Sequence, residues 1–189
     1  MEIANYIQKI QVHLLQTHSS IFDWFNKDET LKTYRPIDKG WSILEILEHI
    51  ALTSHFLLIL IDKGTEKALR NVKNLSLEEL KNDFHYDLNK INEIGIHKSF
   101  DWIRPEHMKP TNKKTELEIK DEMIQQIHRC LNQLDRLKNG EGLLYKTTMT
   151  VNELGKINVY EYIYFLSKHA ERHIRQMEEN QNEFENITS

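Results

Sequence analysis

Four separate stretches of this chain, each about twenty residues or longer, repeat apolar side chains at the three-and-four spacing of an α-helix. The first, Ile3 to Phe25, aligns Ile3, Ile7, Ile10, Leu14, Ile21 and Trp24. The second, Ser42 to about Asp62, carries Ile43, Leu47, Ile50, Ser54, Leu57 and Ile61. A third, Thr115 to Lys138, carries Ile119, Met123, Ile127, Leu131 and Leu134, and a fourth, Asn158 to about Phe184, carries Val159, Ile163, Leu166, Ala170, His173 and Met177. Long helices with one apolar face bury that face against each other, so the expected fold is all-α. Six glycines and three prolines are too few for the many tight turns of an all-β chain.

Local signals mark the helix ends. Ser42 with Glu45 forms a capping box, and Trp41 before it can staple onto Ile46. Asn158 with Glu161 repeats the arrangement, with Ile157 facing Tyr162. "NGEG" at 139–142 offers the left-handed residues that stop a helix. The connector between the second and third helices, about 62–114, is too long for a simple turn. Ser76 and Glu79 predict a shorter helix in "SLEELKNDFHYDLNKINEI", after which "GIHKSFDWIRPEHMKPTNKK" reads as irregular. Phe100, Trp102, Ile103 and Met108 call for burial, which favours a lid or binding element over a disordered linker. With 189 residues the chain suits one domain spanning 1–189.

Charge narrows the function classes. A net charge of −4 and a pI near 6.2 give no footprint for nucleic acid. Lys and Glu are intermixed along the chain, as on solvated helix faces. The N-terminal "MEIANYIQKIQVHLLQ" is amphipathic and lacks the apolar block of a signal peptide. The most apolar run, "IALTSHFLLILI", is too short to span a bilayer. A soluble cytoplasmic protein acting on a small molecule, without nucleic acid or membrane, is the expectation. The single cysteine, Cys130, excludes an intrachain disulfide and reads as a small core residue.

"KHAERHIRQMEE" puts His169 and His173 one helical turn apart. Ten histidines in 189 residues make such a pair common, at about one in every two chains of this composition. Context adds weight. His173 lies on the apolar seam of the fourth helix with His169 beside it, and His49 lies next to the seam of the second. Residues four apart hold their Cβ atoms about 5–6 Å from each other, near enough for two imidazoles to share an ion. Three inward histidines from two helices leave part of a coordination sphere open, as at a catalytic metal rather than a structural zinc site. Against this stands the plainer reading of three hydrogen-bonded core histidines, and the pattern alone leaves both open. His55 is expected near the cavity as a second polar group, and His13, His18 and His128 as boundary residues. Glu45 is taken up by the cap, Glu48 is expected to face solvent, and Arg172 and Arg175 read as exposed helix charges. Tyr160, Tyr162, Tyr164 and Phe165 read as packing.

"GWSILEILEHIALTSHF" and "INVYEYIYFLSKHAERHIRQM" together resemble the DinB/YfiT-like family of metalloenzymes. Its members begin a helix with Trp-Ser or Trp-Thr, place a His about eight residues after the Trp, and end on an H-x-x-x-H pair often followed by x-x-Gln. Trp41, Ser42, His49, His169, His173 and Gln176 match. The resemblance implies a four-helix bundle with a long crossover between helices two and three, and metal ligands at His49, His169 and His173. It also implies relatives that use low-molecular-weight thiols such as bacillithiol, a mycothiol-dependent isomerase, metal-dependent hydrolases, and frequent homodimers.

Two hypotheses follow. In the first, a divalent ion, zinc or nickel by the preference of imidazole ligands, activates a thiol for transfer or water for hydrolysis. In the second, the ion only stabilises a non-catalytic helical module for binding or oligomerisation.

Overall fold

The computed structural model describes residues 2–82, 84–100 and 105–188. Four long helices dominate it: α1 (Glu2–Trp24), α3 (Ile43–Asn71), α6 (Glu116–Arg136) and α7 (Val159–Thr188). Three short ones, α2 (Glu29–Thr33), α4 (Leu77–Asn82) and α5 (Asn89–Asn92), lie in the connections. The expected all-α character therefore holds for all but one small element. An antiparallel hairpin of β1 (Lys146–Met149) and β2 (Gly155–Asn158) stands between α6 and α7, pairing Lys146 with Asn158 and Met149 with Gly155. The β-branched run Thr147, Thr148, Thr150, Val151 was its signal in the sequence. Asn152, Glu153 and Gly155 take positive φ to turn the chain between the strands.

α1 packs on α6 and α7, and α3 packs on α6 and α7. The helix starts follow their caps. Ser42 Oγ accepts from Glu45 N while Glu45 returns a bond from Ser42 N. Thr115 and Glu118 form a second reciprocal pair. At α7, Asn158 N donates to Glu161 Oε2 at 2.6 Å and Glu161 N to Asn158 Oδ1 at 3.0 Å.

α3 runs past the expected end near Asp62 to Asn71. Its seam continues through Gly64, Thr65 and Ala68, residues too small to show as an apolar stripe. Smallness is required there, because a Cβ at Gly64 would stand 3.1 Å from Val159 Cγ2. α3 is, among the described residues, long and apolar enough to cross a membrane, and 67% of its apolar window is buried inside the protein. The shorter helix expected from Ser76 onward is broken in two: α4 ends at Asn82, and a separate turn, α5 followed by Glu93–Gly95, carries Ile91 and Ile94 into the core. Phe100 packs against the core and Met108 is half-buried; Trp102 and Ile103 lie outside the described residues.

The apolar core falls into two clusters, and each long helix contributes to both. One gathers Tyr6, Ile10 and Leu14 of α1, Leu57, Leu58 and Ile61 of α3, Cys130 and Leu134 of α6, and Tyr160 to Leu166 of α7. The other gathers Ile21 and Trp24, Ile43 to Ala51, Ile119 and Met123, and Ala170 and Met177. Between the clusters, every long helix carries buried polar residues: Thr17 and His18, Thr53 and Ser54, Gln126, and Ser167 and His169. Most find partners: His18 Nδ1 lies 2.9 Å from Leu14 O, Gln126 Nε2 donates to Ala51 O, and Ser167 Oγ to Tyr164 O. A buried polar group costs stability unless bonded, and in this layer such bonds offset most of that cost.

Candidate metal centre

His49, His169 and His173 meet in that polar layer, all three buried, at 2%, 2% and 7% exposure. Their ring centroids stand 4.7–5.1 Å apart and one nitrogen from each lies within 4.8 Å of the others. Among the described residues this is the only group of three or more metal-ligating side chains. The sequence placed all three facing inward, and the structure brings all three together.

The surrounding hydrogen bonds fix which nitrogens face the centre. His49 Nδ1 donates to Met108 O at 2.6 Å, and His173 Nδ1 donates to Gln176 Oε1 at 2.9 Å. Carbonyl and amide oxygens only accept, so in both rings Nδ1 carries the proton and a neutral ring keeps its lone pair on Nε2. Burial, then the neighbouring His173 and His49 rings, holds His169 well below the ordinary imidazole range; burial and His49 do the same for His173. Neutral imidazoles are the form that ligates.

His173 Nε2 faces His169 Nε2 at 3.2 Å. Two nitrogens bound at 2.0–2.1 Å to one tetrahedral ion stand about 3.3 Å apart, so the α7 pair fits such an ion. His49 comes from α3 on the third side, its nitrogen within 4.8 Å of the other two, and closing the trio draws it inward. The donor set, three buried imidazoles with the Nδ1–H groups of His49 and His173 anchored outward, has the chemistry of a divalent-metal site. Trp41, expected only as a staple, also packs its ring 4.8 Å from His49.

The connector supplies this outer support. Glu48, expected to face solvent, is buried at 2% exposure and accepts from Thr111 N, Thr111 Oγ1 and Asn112 N at 3.0, 2.6 and 2.9 Å. It pins the segment just after Met108, the residue that orients His49. Glu45 adds bonds from Arg35 and from Asn112 to its role in the cap. Nothing local in the sequence distinguishes Glu48 from a solvated helix glutamate; its partners lie some sixty positions away.

Two cavities meet at the imidazoles. One, of about 590 Å³, is polar and takes in Asp38, Lys39, Lys98, Arg172, Glu179 and Glu183 beside His49, His169 and His173. The other, of about 550 Å³, shares His49, His169 and Phe100 but is walled by Leu57, Leu60, Met108, Met149, Val151 and Phe165. Arg172, expected on the surface, is buried and lies over the Phe100 ring. His55 is exposed and lines neither cavity, because the turn separating it from His49 carries it to the outer face of α3. His13 and His128 do not reach the centre: His13 is half-buried beside Glu171 and His128 is exposed. Cys130 is buried with its thiol pushed up to about 12, as expected of a core residue. Tyr160 and Tyr164 hold Leu137 O and Asn92 Oδ1, roles in packing rather than stacking.

Comparison with known proteins gives a family. Residues 26–177 match the family model of the DinB superfamily, so the chain belongs to that superfamily. No curated protein and no solved structure gives a match.

Proposed function

We propose that this DinB-superfamily chain is a metal-dependent enzyme in which His49, His169 and His173 hold one divalent cation, zinc or nickel, with coordination positions left open to substrate. The observation that carries the reading is the 3.2 Å approach of two buried Nε2 atoms, one of which has its proton held on the far side of the ring by Gln176. A bound ion would supply a Lewis acid that deprotonates a thiol or water at neutral pH. The chain's own residues do the rest. Met108 O and Gln176 Oε1 orient His49 and His173, the two core clusters exclude bulk water, and the polar cavity offers both charge signs to a small zwitterionic thiol. In this reading the four long helices are the bundle of the family, residues 72–115 are its crossover, and the enzyme works in the cytoplasm on small molecules.

Turnover tests the proposal. Zinc- and nickel-loaded protein is assayed against alkyl halides paired with cysteine, glutathione or bacillithiol, and against p-nitrophenyl esters. Turnover by at least one pairing, lost in His49→Ala, supports the enzyme. A second reading, a structural ion in a non-catalytic module, draws on the position of the trio between the two apolar clusters. It predicts a large fall in melting temperature on chelation with no turnover in any pairing.

A further inference from the structure

The two cavities that meet at the trio differ in chemistry, and the apolar one has its own unexplained polar group. Thr53 lies on its wall, one helical turn after His49, at 4% exposure. Its hydroxyl has no hydrogen-bond partner among the described residues. A helical Thr ordinarily bonds back to the carbonyl a turn earlier, and a buried hydroxyl left without that bond loses its desolvation cost outright. Apart from the uncharged Thr150 and Asn152, the rest of the wall is mostly aliphatic, thioether and aromatic, with Leu57, Leu60, Met108, Met149, Val151 and Phe165. Such a surface binds by removing apolar area from water, and the Thr53 hydroxyl, one helical turn from His49, fixes which end of the ligand points inward.

We propose that this chamber binds the alkyl or aryl body of an uncharged substrate, with the polar end of that substrate hydrogen-bonded to Thr53 Oγ1 next to His49 and His169. Thr53 is a positioning residue. The inference rests on the metal-centre reading and narrows it: the centre serves two compartments, so the charged reactant and the apolar one enter from different sides. Substrates with a charged group on the body are disfavoured, since nothing on this wall neutralises a charge.

The full-length protein, labelled with 13C on its methionine methyls, reports on the chamber directly. Met108 and Met149 line it, whereas Met123 and Met177 are buried in the other apolar cluster. Titrations with 1-butanol, 1-hexanol and 1-octanol are run on zinc-loaded and on chelator-treated protein. The expected result is movement of the Met108 and Met149 signals with Met123 and Met177 still, and affinity rising about tenfold for each two methylenes. Leu60→Asp, at a position 43% exposed, is expected to weaken 1-octanol at least tenfold. Thr53→Val, which keeps the shape, is expected to weaken all three alcohols by a common factor of about five. Equal affinity at all chain lengths, shifts confined to Met123 and Met177, or indifference to both substitutions would overturn the proposal. Zinc content, measured alongside, separates the two levels of the argument. Protein that takes up no zinc but keeps the chain-length dependence loses the metal reading alone, and protein that binds zinc with no chain-length dependence loses the chamber alone.

Discussion

The Nε2 atoms of His169 and His173 face each other at 3.2 Å, and the second ring is turned to that position by Gln176, whose side-chain oxygen accepts from Nδ1. A contact this short is held either by the Nε2–H of a neutral His169 donating to His173 Nε2 or by a cation between two lone pairs, and the second is the arrangement of a ligated ion.

The role of Gln176 is open to a direct check. Outer partners that orient a ligating imidazole are worth 10–100-fold in metal affinity. Gln176→Ala is expected to lower zinc affinity within that range in a competition titration against a chromophoric chelator. Gln176→Glu, which still accepts from Nδ1, is expected to retain most of the affinity. Equal affinity in the Ala variant would remove Gln176 from the site.

Glu48 ties the connector to α3 through three hydrogen bonds. Bonds to a buried carboxylate are the strong kind, and removing their acceptor strands the donors. Glu48→Ala is expected to cost about 3 kcal/mol in urea unfolding. Because the same segment presents Met108 O to His49, zinc affinity should fall as well. A variant as stable as wild type would show that the connector is held by something else.

Acid should destabilise the metal-free protein for a specific reason. Burial lowers the His18 imidazole, and burial together with Lys168 lowers His13 to about 4. His169 and His173 are lowered too. All four bind protons more readily when the chain is unfolded, so their contribution to stability is complete above pH 6.5 and is lost as pH falls toward 4. Urea midpoints should be level from pH 8 to 7 and decline below 6.5, and His13→Gln should make the decline shallower. A midpoint unchanged between pH 7.5 and 5 would contradict the assigned shifts.

What the sequence disclosed depended on how local the cause was. The helix starts at Ser42 and Asn158 were legible because a cap is written within four residues. The trio was legible because each histidine sits on or beside an apolar seam, and the seam fixes its direction. The last turns of α3 were hidden, since Gly64, Thr65 and Ala68 pack by being small rather than apolar. The hairpin was hidden in a segment of four-residue strands that carries no long period. Glu48 and Arg172 were misplaced because burial at a helix flank depends on what the connector lays over it, and His55 because its turn of about 120° from His49 puts it on the outer face of α3. Met108 could not be tied to His49 from sequence, for the two are 59 positions apart and meet through a backbone carbonyl that any residue carries.

The account depends on one cation shared by His49, His169 and His173. Protein purified without an affinity tag, dialysed and analysed for metals, is expected to carry about one zinc or nickel per chain, with the outer-shell scattering of imidazole rings in its X-ray absorption spectrum. The variant with all three histidines changed to alanine is expected to carry none. Equal metal content in the two proteins, or an absorption spectrum without imidazole ligands, would contradict the central claim.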